Sequence, residues 1–213
     1  MQFPFIKIIR TPIPHMRNIL QIPWGIIKTN SFLKTFFQKT ITGQVKTAGF
    51  KLMLNQILFF PVTRIWINKA NVKKIVLIRD NALDILISDR RARASGIGNV
   101  KAGETMLQFK ITLKLRNIKR ALSKIEQDNR RLYKYAENHN TLLIKYDELF
   151  DWDNTMRILQ DYLEVSPMKI EPILQKRSEK NITENIDNIQ ELFKALKGSK
   201  YEKYLPDNHE LSG

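Results

Sequence analysis

The chain has 213 residues, of which 43% are hydrophobic and 27% charged, and it contains no cysteine. One domain with a buried core is therefore expected, and a disordered chain is not. Without cysteine there is no disulfide, no thiolate metal site and no mark of secretion. The histidines His15, His139 and His209 are too far apart in sequence for a metal-ligand spacing, so no metal is expected.

The net charge of +15 is unevenly spread. Residues 1–120 hold 22 Lys/Arg against 4 Asp/Glu, a balance of +18, and residues 121–213 hold 14 against 17, a balance of −3. The basic half should attract a polyanion, an anionic membrane surface or a phosphorylated small molecule, and charge alone does not choose among them. The longest uncharged apolar stretch, LMLNQILFFPVT between Lys51 and Arg64, has 12 residues. A membrane span needs about 20. Charge and prolines interrupt MQFPFIKIIRTPIPHM before a signal-peptide core can form, and the expected location is cytoplasmic.

In chain order, Pro4, Pro12, Pro14 and Pro23 leave residues 1–27 irregular. NSFLKTFFQKT reads as a short helix, with Asn30 or Ser31 as cap and Phe32, Phe36 and Phe37 at helical spacing. VKTAGFKLM (45–53) reads as a strand, and helical spacing resumes at Met53. VKKIVLIR (72–79) is an unbroken apolar run, as expected for a parallel strand covered on both faces. DNALDILISDRRARASG (80–96) predicts a helix capped by Asp80 or Asn81 and ended by Gly96. FKITLKL (109–115) alternates and suits extended structure. A long helix follows over 116–138, with Ile118, Leu122, Ile125 and Leu132 toward the core. TLLIKYDEL (141–149) is a further strand. DNTMRILQDYLEV (153–165) is a helix capped by Asp153 or Asn154. ITENIDNIQELFKALKG (182–198) gives a last helix closed by Gly198. Strands separated by helices predict an α/β fold with a parallel sheet.

In such a sheet, ligands bind beyond the carboxyl ends of the strands. Arg79 ends the second expected strand, and Ser88 lies nine positions later on the following helix. A guanidinium fork and a hydroxyl near a helix N-terminus suit the oxygens of an anion. The alternative is an Arg79 paired with Asp80 or Asp84 and a Ser88 facing solvent.

Four stretches resemble the sulfotransferases that use 3′-phosphoadenosine 5′-phosphosulfate. KIVLIRDNALDILIS with DRRARASGIG is similar to that family's 3′-phosphate segment, where a strand ends in Arg and Ser follows eight or nine positions later. AGFKLMLNQ (48–56) looks like its G-F-K-L-M-x-x-Q segment. LLIKYDELFDWDNTMRILQDYLEV (142–165) looks like its Y-E-D-L segment and following helix. NITENIDNIQELFKALKGSKYEKYL (181–205) looks like its ending, with I-x-N at Ile186–Asn188. Each motif is weak alone; their order covers residues 45–205, about three quarters of the chain.

The resemblance implies a P-loop NTPase-like three-layer fold in which Arg79 and Ser88 clasp the 3′-phosphate of the sulfuryl donor. It implies transfer of a sulfuryl group to a hydroxyl or amine on a small-molecule or glycan acceptor. It divides the chain into a basic lead without family match (1–44), a sulfotransferase-like domain (45–205) and a tail (206–213).

The family's 5′-phosphosulfate loop, R-S-G-S/T or K-T/S-G-T, has no counterpart. IIKTNSFL (26–33) comes nearest but puts Asn30 where glycine is wanted. The fold is thus expected to be N-terminally incomplete and truncated, with weak transfer activity or none and no assignable catalytic base. His15, between prolines, fits a surface residue better than a base. An uncovered sheet edge would invite a second copy of the chain. The alternative function is a non-catalytic basic nucleic-acid-binding protein, which no helix-turn-helix, zinc or RNP motif supports.

Other features have structural readings. Arg90, Arg91 and Arg93 extend the anion site or form a solvated face. Trp24, Trp66 and Trp152 are scattered, and Phe36, Phe37, Phe59 and Phe60 read as core. Asp147, Glu148, Asp151 and Asp153 fall where acids cap a helix start.

Overall fold

A computed structural model describes residues 49–59, 72–96, 109–172 and 185–206, with Ser31, Thr35, Gln38, Thr42, Gly43, Arg64, Ile65, Ile67 and Asn68. Its contacts define two units, Met1–Lys74 with Tyr162–Val165, and Ile75–Asp161 with Ser166–Gly213. In chain order the main elements are α1 (Leu54–Phe59), β1 (Lys74–Ile78), α2 (Ala82–Ser95), α3 (Ile118–Ala136), β2 (Thr141–Lys145), α4 (Trp152–Leu163) and α5 (Ile189–Leu196). Strands β1 and β2 form a small parallel sheet, so the chain is α/β.

The first unit holds α1 and a local clasp. Lys73 Nζ donates to the Tyr162 carbonyl at 2.7 Å and pairs with Glu164 at 2.8 Å. The strand expected at 45–53 does not form where it is described, because Gly49–Met53 have no regular structure and α1 begins one residue later. Glycine and lysine within so short an apolar run leave little to fill a pleated surface.

The second unit is built on amphipathic helices. Asn81, in extended backbone, accepts from the N–H groups of Leu83 (3.0 Å) and Asp84 (3.2 Å) and so starts α2. Gly96 ends it at φ 67°, a left-handed conformation that costs glycine little. Ala82, Leu83, Leu86 and Ile87 of α2 pack with Ile118 and Leu122 of α3, Ile111, Leu113, Ile186, and Leu192 and Leu196 of α5. Ile118 and Leu122 are buried as their spacing predicts, with Ile125 packed against them and Leu132 only half-buried.

Residues 111–113 alternate as expected, with Ile111 and Leu113 inward and Thr112 exposed. Ile111 bridges in parallel to Ile186, through Ile111 N–H to Asn185 O and Asp187 N–H to Ile111 O, both 3.0 Å. The Asn188 side chain extends this pairing. Its Nδ2 donates to Leu113 O and its Oδ1 accepts from Leu113 N–H, both at 2.9 Å. The last helix therefore starts at Ile189, not near 182, because the backbone of 185–187 pairs with Ile111 instead of with its own next turn. It ends before Gly198, at φ 66°.

β1 departs from the expected double coverage. Ile75 (45% exposed) and Leu77 (49%) alternate with half-buried Val76 and buried Ile78, so one face of this strand meets solvent. β2 ends at Lys145, and Tyr146–Phe150 turn into a 3-10 helix. The Asp151 carboxylate accepts from Asn154 N–H at 3.4 Å, so the residue before α4 acts as its cap in place of Asp153 or Asn154. Glu148 accepts from Lys145 N–H at 3.0 Å. Both are helix-starting roles, as read from the sequence. The Trp152 indole donates to the Ile170 carbonyl.

Among the described residues, no helix is long and apolar enough to cross a membrane. The phenylalanine pairs, Trp24, Trp66, His15 and IIKTNSFL fall outside the described residues, apart from the backbone of Phe59 and Ser31.

Candidate anion site at the carboxyl end of the strands

β1 delivers Arg79 and Asp80 to the sheet's carboxyl end, and β2 delivers Lys145 and Tyr146. This pairing follows from the parallel register. Adjacent parallel strands end on the same side, so the residues after each are neighbours. The Arg79 carbonyl is fixed by Asn129 of α3, whose Nδ2 donates to it at 2.8 Å. The guanidinium lies 4.8 Å from the centroid of the Tyr146 ring and donates to Asp84 Oδ2 at 3.0 Å. Tyr146 is held in turn by an edge-on contact with Phe150, centroids 6.0 Å apart. An aromatic face beneath a cation limits its swing while leaving its in-plane donors usable.

Asp80 is the second acidic member. It accepts from the Tyr133 hydroxyl and pairs with Lys145 Nζ at 3.2 Å. The Tyr133 hydrogen bond, and then Lys145, hold the Asp80 carboxyl below its usual range despite partial burial. The same contact with Asp80 pushes the Tyr133 hydroxyl and the Lys145 ammonium above theirs. The end of the sheet is thus an alternation of two cations and two carboxylates, framed by two tyrosines.

Ser88 is exposed and lies one helical turn beyond Asp84. Residues four apart share a helix face, so Asp84 and Ser88 form one row on α2. The structure brings Arg79 to the first residue of that row, and the guanidinium's partner there is a carboxylate. The ion pair read as the alternative from sequence is present. Two N–H groups of the first turn of α2 are taken by Asn81, so the helix start offers fewer free donors than its sequence suggests.

Of the arginines on the back half of α2, Arg90 and Arg93 are exposed, and Arg93 pairs with Asp89 at 3.0 Å. Arg91 is 5% exposed, with its guanidinium 5.4 Å from the Phe109 ring centroid. It belongs to neither an anion site nor a solvated face, because position 91 continues the inward row of Leu83 and Ile87. Asn129, Tyr133, Lys145 and Tyr146 were not singled out from sequence. The available signal was positional: Lys145-Tyr146 follows β2 as Arg79-Asp80 follows β1.

Among the described residues no group of three His, Asp or Glu side chains is placed to hold a metal ion. A groove between α4 and residues 167–170 shares no lining residue with the Arg79 cluster. No family model, curated protein or solved structure matches the chain.

Proposed function

We propose that the chain is a sulfotransferase-like protein that binds a nucleotide bisphosphate, with Arg79 and Ser88 around its 3′-phosphate. The observation behind this reading is the Arg79 guanidinium at the carboxyl end of a parallel strand. It lies over Tyr146, and Asp84 and Ser88 stand in one row on the next helix. Strand-helix order and parallel pairing suit a P-loop-like three-layer sheet, and the ordered motifs select this family among the folds that share it. The donor would be 3′-phosphoadenosine 5′-phosphosulfate, and the acceptor a hydroxyl or amine of a small molecule or glycan. Arg79 and Ser88 bear on donor binding alone, and the 213 residues contain no R-S-G-S/T segment to bear on transfer.

In this reading Asp84 occupies the position of the ligand anion. A phosphoryl group entering the site exchanges with the carboxylate, keeping the fork of Arg79 satisfied, and Ser88 adds a donor one turn further. The helix dipole favours the incoming charge and would disfavour phosphate and Asp84 remaining side by side. Removing the charge of Asp84 should therefore tighten binding.

Calorimetric titration with adenosine 3′,5′-bisphosphate tests this. Binding should be lost in Arg79→Ala, weakened in Ser88→Ala, and tightened on the order of several-fold in Asp84→Asn. If neither the parent chain nor Asp84→Asn binds the nucleotide, or if Arg79→Ala binds as well as the parent, the site assignment fails. A sulfuryl-transfer assay on the same samples then separates binding from catalysis.

A further inference from the structure

Helix α3 has 19 residues, six basic and two acidic. At 100° per residue, Ile118, Leu122 and Ile125 define its inward face. Arg120, Lys124, Gln127, Arg131 and Lys134 fall at steps of four, three, four and three, which places them along the opposite face. All five are exposed. With a rise of 1.5 Å per residue, this row is about 21 Å long. Lys119 and Arg130, also exposed, widen it on one side.

The acids of α3 do little to neutralise this row. Glu126 is taken by Lys200 at 2.8 Å and Lys203 at 3.7 Å, and by the Tyr204 hydroxyl at 2.9 Å. Asp128 pairs with Arg131 at 3.1 Å. No ion pair among the described residues engages Arg120, Lys124 or Lys134.

We infer that the outer face of α3 is a docking surface for the phosphate backbone of duplex nucleic acid, contacted without regard to sequence. Several features decide among anionic partners. A membrane-surface helix needs apolar side chains beside its cations, but the apolar face of α3 is turned into the core and none of its large hydrophobics is exposed. A single strand is held by aromatic stacking as well as charge. The row contains no aromatic residue, and Tyr133 and Tyr135 are half-buried. Regularly spaced cations without aromatics suit a rigid array of phosphates. This surface is independent of the nucleotide reading, since Arg79 and Ser88 contribute nothing to it.

The test is fluorescence anisotropy of a labelled duplex of arbitrary sequence with the full chain, repeated over a range of salt. Binding should fall steeply with salt. The triple variant Arg120→Glu, Lys124→Glu, Lys134→Glu should bind about tenfold or more weakly and flatten the log–log salt slope by about 2 to 3. A control with the same change of charge, Lys110→Glu, Lys194→Glu, Lys197→Glu, should stay within about twofold. Circular dichroism melts establish that both variants are folded. Equal losses in the two variants would assign binding to net charge and overturn the surface. So would failure to bind duplex while phosphatidylserine vesicles are bound, or a preference for an unstructured single strand.

Discussion

The Asn129 amide donates to the Arg79 carbonyl across 50 residues of sequence, at 2.8 Å. Helix α3 thereby fixes the turn from which the Arg79 side chain departs, while Tyr133, one turn later on α3, binds Asp80 of the same turn. The carboxyl end of β1 is thus set by a helix that neither precedes nor follows it directly.

Asn129→Ala leaves a part-buried carbonyl without this donor. The expected cost is about 1–2 kcal/mol in urea unfolding. In calorimetry the same variant should bind adenosine 3′,5′-bisphosphate more weakly than the parent, because the guanidinium loses its aim. An unchanged unfolding midpoint would show that the contact does not constrain the turn.

Two groups joined across α3 and the C-terminal segment give opposite pH signatures. Hydrogen bonding to Lys200, and then to Tyr204, holds Glu126 below its ordinary value of 4.5. A lowered carboxylate stabilises the fold above that value and loses the contribution as pH falls through its folded pKa. Burial, and then Glu126, pushes Tyr204 from 10.0 up to about 12. A raised phenol stabilises the fold below 10, and that contribution declines between 10 and about 12. Urea midpoints measured against pH should show Glu126→Gln less stable than the parent at neutral pH, with the gap closing below pH 4.5. Tyrosinate absorbance should show a late-titrating component to which Tyr133 and Tyr204 both contribute, smaller in Tyr204→Phe but not abolished. A gap that persists unchanged into acid would contradict the Glu126 assignment.

Burial separates two leucines that look alike in sequence. Leu122 is fully buried and Leu77 is 49% exposed. Leu122→Ala should cost about 2–5 kcal/mol, through lost transfer energy and the cavity left behind. Leu77→Ala should cost under about 1 kcal/mol, because much of that side chain already meets water. Equal costs would mean that the outer face of β1 is covered in solution.

Helix α2 was legible because its signals are local. Asn81 caps it, Gly96 closes it, and apolar residues recur at helical spacing between them. The same holds for α3 and for the apolar run of β1. The start of α5 was not legible, since 185–187 prefer a partner about 75 residues away to their own next turn. Arg91 misled for a related reason. A run of three arginines in four residues reads as solvated until helical rotation turns one of them under Phe109. At the candidate site the sequence placed Arg79 at a strand end and Ser88 on the following helix. It could not decide between Asp80 and Asp84 as partner, and gave no sign of Tyr146 beneath the guanidinium.

The sequence by itself determined the strand-helix succession from β1 to α3, the inward face of α3 and the surplus of positive charge, because the periodicity and end signals behind each element depend on residues within one or two turns of one another. Tertiary structure alone decided which carboxylate meets Arg79, which face of β1 stays wet and which cations of α3 stay unpaired. Those outcomes depend on distances between segments tens of residues apart, and such distances are set only when the helices pack.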